Sequence, residues 1–526
     1  MKKVLSLIIA VSMIILALTL CACGENPEPT PTTAGKDATQ ATTVPPTSQS
    51  TENPTPSTAP TTAGTTGGGE DVTPSENNGY SKLEGFLDVD FANREFVFAT
   101  TDGSTNWYTQ YEVEVDSRDG GTIVNTAVYD RNEAMKKLYK CSVKAVPVEN
   151  PKKVIEDDVV SGTNEYDFAV WEGEAYFKNQ NNAFRNILDL DLDFTIPGWN
   201  TDMIKQCACA DNNGVKKLFT FDGDFGLMGV DAIWTMIVNL DLFEQNFDDD
   251  IFDIVRKHEW TVDKFEEYCV AIAKDNGDQK WVVGDDVYGY ISTGQGMPAM
   301  IEGVGISLTY KNDSGKLATS KDYITESGVE TKVQRLCDLF ANDGMDDSTP
   351  YMKVSSYLAE GKALFMSQVM GVLTSETSEE AGTAGFINLD VSVSPLPMPL
   401  YKAGDDYHTY VNNRGAFYGI SKNACGGNAD MISDFWNLYA FHSNKIVRPA
   451  ILKFIGEINC SNENAPEMVD IVMNSRTYDF VYHNCNTYPA LGTDILNNVN
   501  NVGKAANSWV KDINKSINEY LDYISK

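Results

Sequence analysis

Residues 95–100 read EFVFAT, and the elements after them decide the fold. The hexapeptide is apolar and rich in β-formers, which predicts a strand. Residues 122–139, TIVNTAVYDRNEAMKKLY, place Ile123, Ala127, Met135 and Leu138 on one helical face. CSVKAVPV at 141–148 returns to strand, 151–160 can form a second helix, and YDFAV at 166–170 reads as a third strand. Strand, helix, strand, helix, strand at this spacing predicts an α/β unit whose parallel sheet is covered on both faces. Ligands of such sheets sit beyond the carboxyl ends of the strands. Here that rim comprises the loop 100–111 and the turn Trp171-Glu172-Gly173, and each carries a tryptophan.

Further along, Trp260 to Ala273 is amphipathic, with Thr261 placed to cap a helix and Trp260 to staple it. Trp260 is therefore read as structural. Helices are expected at 329–342, 355–361 and 429–443, and strands at 217–221, 363–366 and 410–421. No internal repeat is visible.

The chain has 526 residues, 42% hydrophobic and 10% aromatic, enough for two or three packed units. It carries 75 acidic against 41 basic residues, a formal charge of −34. Nucleic acid and anionic lipid repel such a chain, so nucleic-acid binding is excluded.

The N-terminus has the parts of an export signal: Lys2 and Lys3, an apolar run from Val4 to Leu20, then Leu20-Cys21-Ala22-Cys23-Gly24. This last stretch resembles the lipobox of bacterial lipoproteins, with Cys23 as the residue that receives the lipid. Residues 1–22 are then a lipoprotein signal peptide. Residues 23–82 are a Thr/Pro-rich tether without the apolar mass to fold. Beyond it lie eight cysteines at scattered positions, 141, 207, 209, 269, 337, 425, 460 and 485, read as buried thiols. Cys207-Ala-Cys209 is too closely spaced for a zinc pair of the C-x2-C type.

Several stretches resemble one family. They are Pro197-Gly-Trp-Asn200, Phe219-Thr-Phe-Asp-Gly-Asp224, Lys257-His-Glu-Trp-Thr-Val-Asp-Lys264, Asp286-Val-Tyr-Gly-Tyr290 and Leu358-Ala-Glu-Gly-Lys-Ala-Leu-Phe365. Ser394-Pro-Leu-Pro-Met-Pro399, Tyr407-His-Thr-Tyr410, Val447-Arg-Pro-Ala450, Glu467-Met-Val-Asp-Ile471 and Arg476-Thr-Tyr-Asp479 come next in order. The set resembles the extracellular solute-binding lipoproteins of ABC importers, carbohydrate-type, in their long Gram-positive form. The resemblance implies an α/β, two-lobed, periplasmic-binding-protein-like type II fold with an interlobe cleft. Lobe one would be 83–220 plus 405–445, and lobe two 223–400 plus 446–526. Crossings between the lobes are expected near 219–224, 399–410 and 444–449. It implies capture of a mono- or oligosaccharide, delivery to the permease subunits, and no catalysis. The protein would stand on the outer face of the cell membrane, held by its lipid alone. No cofactor is expected. A calcium ion at Lys274-Asp-Asn-Gly-Asp278 stays open as an alternative, although this loop is shorter than the family's calcium loop and lacks its ordered oxygens. Where sugar-binding members often show an aromatic residue, this chain has Ser367-Gln-Val-Met370.

A sugar site needs aromatic platforms and paired donors and acceptors. The residues that answer to this are Trp107 and Tyr108 beyond the first strand, Trp171 and Glu172 beyond the third, and Trp199 in the Pro-Gly-Trp-Asn motif. Asp222 and Asp224 flank Gly223 at the first crossing. Trp234, Tyr290 and Arg414 complete the ligand-binding candidates, and no metal-binding residue is among them. Each has a structural reading beside it, as core or as surface ion pair. Other readings remain: the same fold holding a peptide or another polar metabolite, an exported glycoside hydrolase, or a surface adhesin. No G-x-S-x-G or H-E-x-x-H motif supports the hydrolase.

Overall fold

The computed structural model describes residues 88–526, apart from 103–108, 120, 174, 413 and 486. The expectations for Cys23, the tether, Trp107 and Tyr108 fall outside the described residues. The first lobe opens with β1 (Arg94–Thr101), α1 (Ile123–Tyr139), β2 (Cys141–Val148), α2 (Pro151–Ser161) and β3 (Phe168–Glu172). β1 pairs in parallel with both neighbours, Arg94 opposite Cys141 and Phe98 opposite Phe168. α1 starts where Thr122 and Asn125 exchange side-chain-to-backbone bonds, a capping box that satisfies two otherwise orphaned N–H groups. β3 begins later than its apolar pattern suggests and takes in Trp171 and Glu172. Those two residues end a strand instead of forming a turn.

The chain leaves this sheet through Phe221, which forms an antiparallel bridge with Tyr418. The expected strand 217–221 is reduced to that bridge and the short pair Lys216–Lys217. A second sheet is then built from β4 (Trp234–Asn239), α3 (Val262–Ile272), β5 (Tyr288–Ile291), α4 (Gly296–Gly303), α5 (Val329–Phe340), β6 (Met345–Asp346), α6 (Tyr351–Ala359), β7 (Ala363–Val369) and β8 (Val393–Leu396). Trp260 staples α3 as expected, its ring 5.9 Å from that of Phe265 and its indole N–H donating to the Pro397 carbonyl at 3.0 Å. The expected strand 410–421 divides into β9 (Thr409–Tyr410) and β10 (Ala416–Ile420), and β10 returns to the first sheet antiparallel to β3. Then come α7 (Ala429–His442), α8 (Ala465–Asn474), β11 (Arg476–Thr477), α9 (Phe480–Asn484), α10 (Thr487–Leu496) and α11 (Val502–Ile524).

The two sheets share one logic. The first is ordered β10-β3-β1-β2, with Phe221 bridging the outer side of β10. The second is ordered β6-β5-β7-β4-β8. Each therefore runs second, first, third, a returning antiparallel strand, then fourth. In both, the returning strand is the one that has just crossed from the other lobe.

α7 seals the first lobe, its Phe435 ring 4.1 Å from Phe96 and 5.2 Å from Phe168. It does not stop at His442. Two π-helical stretches, Ser443–Val447 and Lys453–Asn459, flank one α-turn at Arg448–Leu452, so a single helical run continues to Asn459. α8 then packs against β8 of the second lobe. Among the described residues no helix is long and apolar enough to cross a membrane. The eight cysteines are unjoined there, seven of them buried.

Candidate functional site

The carboxyl rim of the first sheet is where β1 and β3 end. There Thr100 Oγ1, Trp171 Nε1 and Glu172 Oε2 are buried and, among the described residues, have no hydrogen-bond partner. Trp171 is wedged against Gly173, Gly419, Phe177 and Phe184, with the Lys152 ammonium 5.9 Å from its ring centre. It is a wall residue and not an open platform. Burial pushes the Glu172 carboxyl up, opposed by the nearby charges of Arg414 and Lys152. Arg414 is exposed, on the segment that leads into β10.

The rim of the second sheet carries Trp234 at the start of β4, beside Val369 at the end of β7. Trp234 is 1% exposed and its Nε1 is unpartnered. Asp347, directly after β6, is buried and neither oxygen has a partner of good geometry. Its carboxyl is pushed up to about 6, because desolvation outweighs the Ser292 hydroxyl and the N–H groups of Gly294 and Gly296. Sequence reasoning misses it: within Asp346-Asp347-Ser348-Thr349 it looks like a polar turn.

One short segment of chain links the two rims. Val411 bridges Ile233 in the second lobe, and Ala416 pairs with Glu172 in the first. The chain from Val411 to Ala416 can span at most about 17 Å. The side wall is aromatic: Tyr410 lies 6.2 Å from Trp234 and 4.2 Å from Tyr482, ring to ring. The Tyr410 hydroxyl and both ring nitrogens of His483 are also buried without partners. Burial pushes His483 down to about 4, so the imidazole is neutral and offers one donor and one acceptor. A cavity of about 640 Å³ is lined by Asn150, Lys152 and Glu156, by Phe177 and Lys178, and by Tyr482 and His483 on α9; of the rim residues above, only His483 lines it. That volume lies in the range of small-molecule sites.

Four expected ligand residues are used elsewhere. Trp199 is core, packed on Phe194, Phe221 and Phe225. Tyr290 is core in the second lobe, its hydroxyl 2.6 Å from Ser367. Asp222 and Asp224 hold the crossing together. Arg476 bonds Asp222 at 2.9 Å and lies 3.5 Å from Asp224. Arg448 bonds Asp224 and Asp470, each at 2.6 Å. Tyr478 donates to Asp222 at 3.1 Å, so both aspartates are committed to protein partners. In the loop 274–278, Asp275, Asn276 and Asp278 accept backbone N–H groups of the loop itself. Among the described residues no cluster of three or more metal-ligating side chains is present.

The strand order of both sheets decides the architecture. This is the two-lobed α/β fold of type II periplasmic binding proteins. No protein-family model and no curated protein matches the sequence. Among solved structures, a sugar transporter from Rhizobium etli in an open conformation is 12% identical, covering 81% of this chain and 99% of its own, with a TM-score of 0.49. An extracellular solute-binding protein from Staphylococcus aureus, in complex with maltose, is 12% identical over 82% of this chain and 99% of its own, TM-score 0.48. A cyclo/maltodextrin-binding protein complexed with maltotetraose is 13% identical over 81% and 96%, TM-score 0.46.

Two further carboxyls stand beside the crossing. Glu112 accepts the Met228 N–H at 2.8 Å, and Asp231 accepts from Thr374 at 3.1 Å. Burial pushes both up to about 7. For Glu112, the nearby Asp222 charge adds to this and Arg131 opposes it. A raised carboxyl contributes stability below the ordinary carboxylate range and loses it as pH climbs through the folded value. For Glu112, moved from 4.5 to about 7, the loss is about 3 kcal/mol at most, at 1.36 kcal/mol per pH unit. Glu112→Gln is therefore expected to raise the urea midpoint at pH 8 and leave it nearly unchanged at pH 4.

Proposed function

We propose that this protein is the lipid-anchored solute-binding component of an ABC importer, taking a mono- or oligosaccharide into the interlobe cleft and presenting it to the permease. Residues 83–220 plus 405–445 and 223–400 plus 446–526 are the two gripping halves. Cys23 carries the lipid, and the tether after it holds the body off the outer face of a Gram-positive membrane. The observation that carries the reading is that both rims hold buried polar atoms without a hydrogen-bond partner among the described residues: Thr100, Trp171 and Glu172 in the first lobe, Trp234 and Asp347 in the second, with Tyr410 and His483 beside them. Buried polar groups are normally satisfied. A polyhydroxylated solute supplies donors to Glu172 and Asp347 and acceptors to the two indoles. It bridges both lobes only when they are closed, which shifts the population toward closure. A micromolar site needs about 8 kcal/mol, within reach of a few hydrogen bonds to charged groups at about 1.5–3 kcal/mol each.

A thermal-shift screen of mono- and oligosaccharides, peptides and chromogenic glycosides tests this. The expected result is a rise in melting temperature with one saccharide class and no product. Stabilisation by peptides alone would replace the cargo, and turnover of a glycoside would make the protein a hydrolase. No stabilisation by any solute, with an undiminished radius in scattering, would remove the binding role.

A further inference from the structure

A second cavity of about 400 Å³ is lined by none of the rim residues named above and meets the first cavity at Tyr176. Gln206 and Tyr176 bound it on one side, the segment Gly305–Lys311 on another, and Thr477 to Phe480 on a third. Glu302, the penultimate residue of α4, lines it. This side chain is 4% exposed. Thr477 donates to Oε2 at 2.9 Å, and Oε1 is buried with no partner. Asp479 lines the same cavity with both oxygens engaged, Oδ1 by the N–H groups of Val481 and Tyr482 and Oδ2 by Ser307 at 3.2 Å. Lys311 is the cation on the wall, and its ammonium is tied to the Lys205 carbonyl. His408 completes the rim of the opening, and burial holds its imidazole below the ordinary histidine range.

A buried carboxyl oxygen without a hydrogen-bond partner is costly. The wall supplies Oε1 with none, so a visiting molecule must. We propose that this cavity is a second binding site, for a small primary amine whose ammonium group seats on Glu302. An ammonium has three donors and no acceptor, which suits the open oxygen and the negative field of Asp479 behind it. The chain's charge of −34 concentrates cations at its surface. Burial, and after it the neighbouring Asp479, hold the Glu302 carboxyl well above its usual range, which favours its protonated form in the empty cavity. Docking of the amine expels that proton to the buffer and leaves a carboxylate–ammonium pair. The step balances as one ammonium bound and one proton released.

The test uses the whole protein at physiological ionic strength with 1,4-diaminobutane, against 1,4-butanediol as the uncharged analogue of equal length. The diamine is expected to raise the melting temperature, and the diol is not. Calorimetry in phosphate and in Tris is expected to give heats that differ by the buffers' ionisation enthalpies, reporting proton release on binding. Glu302→Gln, which removes the ionisable group and keeps the side chain's shape, is expected to weaken the diamine at least tenfold and abolish the buffer dependence. His408→Trp, which narrows the opening, is expected to do the same by a different route. Equal stabilisation by the diol, an unchanged diamine affinity in both variants, or stabilisation by calcium in place of the diamine overturns the proposal. None of these outcomes depends on the solute of the interlobe cleft.

Discussion

Replacing Arg476 with methionine is expected to destabilise the protein by about 3–5 kcal/mol, the loss typical when one partner of a buried ion pair is removed. Arg476, Asp222 and Asp224 have side chains only 4–5% exposed. Without the guanidinium, Asp222 keeps the Tyr478 hydroxyl and the Gly223 N–H but no charge partner. Burial already pushes the Asp222 carboxyl up, and Arg476 is what opposes this most. The variant carboxyl should take up a proton, so the deficit should shrink toward low pH. Urea unfolding at pH 5 and pH 8 measures both effects. Adding Asp222→Leu to Arg476→Met is expected to recover part of the loss, because an apolar pair can replace a buried ionic one. A loss below about 1 kcal/mol, the range of solvent-exposed pairs, would mean that water reaches this network.

The larger functional effect is expected from Glu172→Ala combined with Asp347→Ala. The two carboxylates stand on opposite rims, at the ends of β3 and β6. Each offers a solute a charge-assisted hydrogen bond worth about 1.5–3 kcal/mol. They share no partner, so their effects should nearly add, and the double variant should bind about 10²–10⁴ times more weakly. The saccharide that stabilises the protein most is the probe, and titration calorimetry the readout. Stability should fall little, because burial already disfavours both carboxylates and the groups near them, Ser292, Gly294 and Gly296 at Asp347 and Arg414 and Lys152 at Glu172, only partly offset it. A double variant that binds normally would move the site away from these rims.

The strand–helix alternation of 95–170 is legible because every element there is set by local pattern: Thr122 caps, Gly162 ends a helix in the left-handed region, and apolar residues recur at the right period. Local pattern places Trp171 and Glu172 at the correct rim but as a turn. Their strand character comes from Ala416 and Phe417 of β10, far along the chain, and no local window contains both. The motif Pro197-Gly-Trp-Asn200 is legible as important, but its spacing does not say why. Gly198, at φ +107°, leaves a gap in which a side-chain carbon would lie 2.1 Å from the Ala440 carbonyl. Asn200 caps the next helix and bonds Tyr478 at 2.6 Å. The motif is a wedge between elements and not part of the cleft. Asp347, Tyr410, His483 and Glu302 are invisible for the opposite reason. Asp347 is an ordinary polar residue in a polar stretch and Glu302 a single acid in an apolar one, and what sets all four apart is a missing partner, which only the folded chain can show.

The helical run from Ala429 to Asn459 has a mechanical consequence. Its two wide turns, at 443–447 and 453–459, stand on either side of Arg448, which pairs with Asp224 and Asp470. π-turns are rare and bond less favourably than α-turns, so compliance is concentrated there while the rods on either side stay stiff. None of the rim residues named above lies on these turns. Substitutions there are expected to change how readily the molecule shuts without changing what it holds.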